Sequence, residues 1–502
     1  MSDLWSELSR LNPADRAAWR RDVDKALKGR SFDDALVRTT IEGLSLHPLY
    51  TREDVPTGAG DERPGAAPFT RGFPAPHDAT QPRSGWMRTV EIAYDDPAAA
   101  NAMLLADLEG GAERIVVRRA AIGRTEDLAR VLNDIQWSMA PVAVVAPVGD
   151  PAGARALFAR CAELRAHGGH GLGAQIDVIA EFAAASASGL TPYLDDIVTE
   201  AQRSSADAVP FADARPLLVS TTALREAGAD LVQEVAVVIA AFVDLARVLA
   251  GRLTPAQILR ACEFRVGVGN DFFGEIAKLR ACRRALGVVF ESLGIRDHAG
   301  ETFVAAVTAE ETLSTRDPYV NLLRTTAEAS AAVFGGADAV IVQPFDARLT
   351  GGSAHSRRLA RNLQSLLDEE SSAGAVTDPA GGSFYVEART EQIAEAAWQQ
   401  FVRWEAAGGF FAEMVSGAVA RLVAGQWQAR AKRLRSRRDP VLGVSVFPNL
   451  NEPRPETDTV RGESPASLPR HAYSEDFERL RSRIDRLATI RGVALSIEAV
   501  LI

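Results

Sequence analysis

Phe272-Phe273-Gly274-Glu275-Ile276-Ala277-Lys278-Leu279-Arg280-Ala281-Cys282-Arg283-Arg284 reads as a helix, with Glu275 and Leu279 one turn apart. Before it lies the β-branched and aromatic run Phe264–Gly269, and after it comes Thr302–Thr308. Strand, helix and strand in that order are the unit of a parallel sheet. Working outward, further short strands are expected at Arg114–Arg118, Pro141–Ala146, Ala174–Ile179, Pro216–Ser220, Asp338–Gln343 and Gly374–Asp378. Eight strands, each followed by a helical stretch over some 300 residues, define an α/β chain and suit a (β/α)8 barrel somewhat larger than the usual ~250 residues. A doubly wound open sheet is the alternative.

Two local patterns support the helical half. Ala227–Val248 keeps Ala, Val, Leu and Ile in near-continuous register, as a helix packed on several sides requires. Gly335-Gly336 before Ala337-Asp338-Ala339-Val340 reads as a helix C-cap leading into a buried strand. Lys278, Arg280, Arg283 and Arg284 form a basic cluster that invites a phosphate-binding reading, but a solvated or salt-bridged helix face is favoured.

With 502 residues, 47% hydrophobic and 24% charged, the chain has enough apolar mass for a large core and more than one structural unit. A net charge of -10 argues against nucleic acid or an anionic membrane as a general partner, since both are held by dense basic patches. Cys161, Cys262 and Cys282 are scattered without CxxC spacing, which points away from zinc and from a disulfide framework. Neither a signal pattern nor a run of ~20 apolar residues occurs, so a cytoplasmic chain is expected.

Three stretches together resemble the methylmalonyl-CoA mutase family: Phe272–Arg284, the run Arg316-Asp317-Pro318-Tyr319-Val320-Asn321-Leu322-Leu323-Arg324-Thr325-Thr326-Ala327-Glu328, and Asp378-Pro379-Ala380-Gly381-Gly382-Ser383-Phe384-Tyr385-Val386-Glu387. The resemblance runs from about Ala14 to Asp439 and is greatest to the small, non-catalytic type of subunit. It implies a (β/α)8 TIM barrel through which an acyl-CoA threads, with an N-terminal arm (1–85) for subunit contact, a barrel with a helical extension (86–438) and a linker with a short remnant (439–502). A cobalamin-binding domain would be expected where the chain stops. It also implies methylmalonyl-CoA/succinyl-CoA interconversion by adenosylcobalamin radical chemistry, in which the barrel excludes water and orients the thioester.

Departures from the family pattern are equally informative. A Tyr-His pair that precedes a Glu-Ala-Gly-Ala turn in catalytic members falls on Thr222 and Ala223 before Glu226-Ala227-Gly228-Ala229. A methyl group cannot donate to a thioester carbonyl, and loss of one such donor costs about 3 kcal/mol or more in the transition state. The tyrosine of the Trp-Thr-Ile-Arg-Gln-Tyr run falls on Glu91. The cobalt-ligating Asp-x-His-x-x-Gly loop has no match; Asp297 and His298 are adjacent and do not fit. No catalytic, cofactor-binding or metal-binding residue is therefore assigned to this chain. The expectation is a small subunit in a heterodimer with a catalytic large subunit that binds the adenosylcobalamin. The alternatives are the substrate-binding part of a split acyl-CoA mutase, or a non-catalytic barrel that binds CoA esters.

Other candidates have plainer readings. His167 and His170 fall in a glycine-rich loop and lack a third metal ligand. His355, with Arg357, Arg358 and Arg361, could cradle an anion at a helix start, but an N-cap turn with solvated arginines is favoured. Glu369-Glu370 reads as a helix-end charge pair, and Arg430–Arg438 as a solvated helix end. Phe477–Ala488 is one amphipathic helix, followed by an apolar terminal stretch, Val493–Ile502.

Overall fold

The computed structural model describes residues 15–56, 58, 61–74, 85–93, 96–118, 125–184, 189–206, 215–449, 452 and 467–491. Eight parallel strands close on themselves: β1 (Met87–Ile92), β2 (Arg114–Val117), β3 (Val142–Val145), β4 (Leu172–Asp177), β5 (Leu217–Ser220), β6 (Cys262–Val268), β7 (Val304–Thr308) and β8 (Ala339–Ile341). Each pairs with its neighbour in sequence, and β8 pairs with β1 through Ala339 opposite Met87 and Ile341 opposite Thr89. That closure excludes the open sheet.

Seven of the expected strands are present with shifted ends; β4 stops at Asp177, where Val178 and Ile179 already begin a helix. Gly374–Asp378 is a set of turns, and the eighth strand is β1 instead. Gly374 lies against Gly85, where an added Cβ would come within 2.8 Å of the Gly85 Cα, so the segment is a close crossing of two backbone segments. The expected apolar end, Val493–Ile502, lies outside the described residues.

Side-chain alternation separates the inside of the barrel from its outside. Ile115, Val117, Val142, Val144, Leu217, Val219, Phe264 and Val266 join the large core under the helices. Their neighbours Val116, Ala143, Val145, Leu218, Val307 and Ile341 form a separate cluster within the barrel. By the same parity Thr89, Glu91, Arg114, Gln175, Glu263 and Arg265 face inward, which places charge in strands buried on both faces.

The helix Leu231–Val248 is apolar on nearly every side because it lies between the barrel helix Phe272–Ser292 and the long helix Phe384–Ala406. Asp230 and Gln233 close its start as a capping box. Burial, reinforced by the Glu42 charge, pushes the Asp230 carboxyl up to about 7. An aspartate with a folded pKa above its unfolded value of about 4 contributes its stability in full below that value and gives it up as pH rises through the folded one. Asp230→Asn, which keeps the cap, is expected to reduce the fall in Tm between about pH 5 and pH 8. Parallel Tm-versus-pH curves for the two proteins would reject this.

Gly336, at φ +77°, ends the helix Val320–Phe334. Its N–H reaches Val333 O at 2.9 Å and Ala337 N–H reaches Ala332 O at 3.1 Å, the paired bonds of a Schellman turn leading into β8. The N-terminal residues described pack on their own barrel: Phe69 is buried in the core, Arg71 pairs with Asp378 and Glu42 lies beside Arg389. The helix Arg16–Leu27 buries none of its residues.

Candidate functional site

Active sites of (β/α)8 barrels form at the C-terminal ends of the strands. Here that rim carries Glu91 at the end of β1, Arg118 just past β2, Asp177 at the end of β4, and Thr222-Ala223 just past β5. Glu91 accepts from Arg118 Nε at 2.6 Å and faces Arg265 Nη1 at 3.5 Å. Arg265 reaches down to Glu263 at 2.6 Å, and Glu263 also accepts from Arg114 at 2.5 Å and Gln175 at 2.9 Å. A continuous ladder of carboxylate and guanidinium groups thus runs up the barrel, with Glu263, Arg265 and Arg114 almost wholly buried. Burial opposes charge on Glu263, but Arg114, Arg265 and Gln175 outweigh it and hold the carboxyl well below the usual range. Glu91 is lowered in the same way, burial being overcome by Arg118 and Arg265. Asp177, which caps the helix Val178–Ala183, is raised by burial.

Thr222 opens the short helix Thr222–Glu226, its hydroxyl 2.8 Å from Ser220 Oγ, and Ala223 is half-buried against the core. Glu91, Thr222 and Ala223 all lie at the rim, although only Glu91 belongs to the ladder. Beside Glu91 a cleft lined by Thr89, Glu91, Gln343, Arg357 and Gln364 encloses ≈ 20 Å³, room for about one water molecule.

At the same end of the barrel, a second ionic cluster ties three strand ends together. Arg225 donates to Glu234 at 2.6 Å and to Glu311 at 2.6 Å, and pairs with Glu275 at 2.9 Å; Lys278 joins Glu234 at 2.8 Å and Glu275 at 2.6 Å. Gly267 and Gly269 make room for this guanidinium, since a Cβ on either would fall within 2.4 Å of an Arg225 atom. Lys278 is thus neither solvated nor a phosphate ligand. Arg280 is buried on Asp378 and Glu387, Arg283 donates to Gly336 O, and Arg284 pairs with Glu391. The salt-bridged alternative holds for Lys278, Arg280 and Arg284, while Arg283 is buried on backbone carbonyls.

Arg357 and Arg361 converge on Asp107 and are mostly buried, so the arginines expected to be solvated beside His355 are pinned; Ser353 caps the helix as expected and Arg358 is exposed. His167 sits in the last turn of the helix Pro151–Gly168, and His170 is exposed beyond it. Glu369 lies in the turn ending at Glu370, 3.5 Å from Arg88. In the expected solvated end, Arg430 lies over the Tyr473 ring, Arg433 pairs with Asp439 and Arg435 with Asp476.

Residues 467–491 cross back over the barrel mouth. Ser467 donates to Ala183 O past β4, Arg470 pairs with Glu226 past β5, Tyr473 N–H reaches Glu311 O past β7 at 2.8 Å, and Arg348 past β8 donates to Ser474 at 3.0 Å. The helix Glu475–Arg491 continues over Arg316, which holds Asp485 at 2.6 Å. The helix expected at Phe477–Ala488 is present as Glu475–Arg491, but sequence reasoning missed the strap leading into it across the mouth, together with Arg114, Gln175, Glu263 and Arg265. The alternation of Cys262, Phe264 and Val266 with Glu263 and Arg265 was the available signal.

The fold is a (β/α)8 barrel whose strand ends carry ion pairs where such barrels place their chemistry. The methylmalonyl-CoA mutase family model matches residues 119–500. Similar proteins include the methylmalonyl-CoA mutase small subunit of Streptomyces virginiae, 36% identical over 476 residues, covering 93% of this chain and 74% of that one. The probable small subunit of Mycobacterium tuberculosis (strain H37Rv) is 34% identical over 494 residues, covering 94% and 76%. That of Propionibacterium freudenreichii subsp. shermanii is 32% identical over 488 residues, covering 93% and 74%. The chain belongs to the methylmalonyl-CoA mutase family of isomerases.

That family is cobalamin-dependent in general. Among the described residues no group of three or more His, Cys, Asp or Glu could hold a metal ion. His471 of the strap is stacked on Trp427 with ring centroids 4.2 Å apart. Cys161, Cys262 and Cys282 are buried thiols pushed up to about 12 by burial. No described helix is long and apolar enough to cross a membrane.

Proposed function

We propose that this chain is the small subunit of a heterodimeric, adenosylcobalamin-dependent methylmalonyl-CoA mutase, and that it acts as a framework while its large partner binds the cofactor and carries out the rearrangement in the cytoplasm. The ladder Arg114–Glu263–Arg265–Glu91–Arg118 carries this reading, because it fills the axis along which an acyl-CoA would have to thread. Displacing any one of these side chains strands a buried opposite charge. Ala223 adds to it, since its methyl group offers no donor to a thioester. Three buried thiols accord with a reducing compartment.

The purified chain, supplied with adenosylcobalamin and methylmalonyl-CoA, is expected to form no succinyl-CoA above background. Pull-down from its own cells is expected to recover a larger mutase chain in equal amount and with activity. Turnover by the chain alone at ordinary enzymatic rates, of order 1 s⁻¹ or more, would overturn the reading, and recovery with only a small cobalamin-binding protein would favour a split mutase. The double variant Glu91→Tyr/Ala223→His is expected to stay inactive, because it restores two side chains without clearing the ladder or lifting the strap. Any cobalamin-dependent turnover by that variant would show that the axis opens readily.

A further inference from the structure

Arg470 meets the rim as a ligand meets a receptor. Its Nε donates to Glu226 Oε2 at 2.5 Å and its Nη2 to Glu226 Oε1 at 3.1 Å, the forked geometry that distinguishes guanidinium from ammonium. Glu310 lies 3.9 Å from the same Nη2, and the charge of Glu91 also acts on Arg470 from within the barrel. The strap around it is fastened by backbone: His471 N–H reaches Glu226 O at 2.9 Å and Tyr473 N–H reaches Glu311 O at 2.8 Å. His471 then lies flat on Trp427, which Gly228 lets come close; a Cβ there would sit 2.6 Å from Val423 O and from the Trp427 Cβ.

We propose that the barrel rim is a guanidinium-recognition site built from Glu226 and Glu310, and that Arg470 is its internal occupant, latching the strap 467–474 across the mouth. Charge supports this assignment. With Arg470 withdrawn, Glu91, Asp177, Glu226 and Glu310 face the mouth against Arg118 and Arg265, a net negative field that repels the phosphates of a CoA ester and attracts a compact cation. Burial, only partly offset by Arg470, pushes Glu226 up to about 7, so the latch holds best above that pH. The site stands on its own geometry, whether or not the chain works with a mutase partner.

The test uses the full chain at about pH 8. In Arg470→Ala, hydrogen exchange across 221–228 and 470–478 is expected to speed up by at least about tenfold, and millimolar ethylguanidinium is expected to restore protection while ethylammonium is not. Arg470→Lys, which keeps the charge and loses the fork, is expected to fall between. Should Arg470→Ala not fold, Glu226→Gln tests the same contact from the other side and is expected to lose protection without rescue by either cation. Unchanged exchange in the variants overturns the latch; loss of protection that ethylguanidinium does not repair, or that ethylammonium repairs equally, overturns guanidinium recognition.

Discussion

Arg225→Met is expected to destabilise the chain by about 4–5 kcal/mol or more, the upper end of what breaking a buried ion pair costs. The substitution keeps much of the stem volume but leaves Glu234, Glu275 and Glu311 facing one another with only Lys278 between the first two. Glu328 cannot help: burial, with the Glu311 charge, holds it well above the usual carboxylate range although Thr312 donates to it. A loss of that size is a large share of the ~5–15 kcal/mol that keeps a domain folded. The effect should appear as a lower urea midpoint and lower soluble yield. A midpoint shift equivalent to less than about 1 kcal/mol would mean that the carboxylates take up protons at little cost. Arg225→Lys should rescue poorly, since one ammonium cannot span three partners placed around a planar fork.

Glu263→Leu is expected to cost about 3–5 kcal/mol for a related reason, since it strands Arg114 and Arg265 at the barrel centre. Here a compensating variant separates charge from packing. The triple change Arg114→Met/Glu263→Leu/Arg265→Met removes the stranded charges and fills similar volume, so its stability should return to within about 1–2 kcal/mol of the parent. Calorimetric unfolding of both variants decides the matter; a triple variant as unstable as the single one would mean that shape, and not charge, fixes these residues.

The barrel was largely legible in the sequence, because β2, β3, β5 and β7 are short apolar runs between turns and nothing in their surroundings contradicts them. β1 was not counted: Met-Arg-Thr-Val-Glu-Ile carries three polar residues in six, and a strand buried on both faces is expected to lack them. The count of eight held because one false strand, Gly374–Asp378, took its place. The same inward charges hid the ladder, whose partners lie up to 174 positions apart. The stretches that carry the family resemblance have a structural explanation. Arg280 of the first is buried on Asp378 and Glu387 of the third, and Asn321 of the second bonds Ser314 O and Phe345 O at 2.8 Å each. They specify framework.

Closure of the ring through Met87 and Ala339 also sets an order of events during synthesis. β1 leaves the ribosome long before the strand that completes its second edge. At ~5–20 residues per second the wait is on the order of 10–50 s, during which a row of unpaired N–H and C=O groups is open to any other nascent strand. The yield of this protein in a cell should therefore depend on chaperones that shield an exposed edge through translation, and slower elongation should lengthen that dependence.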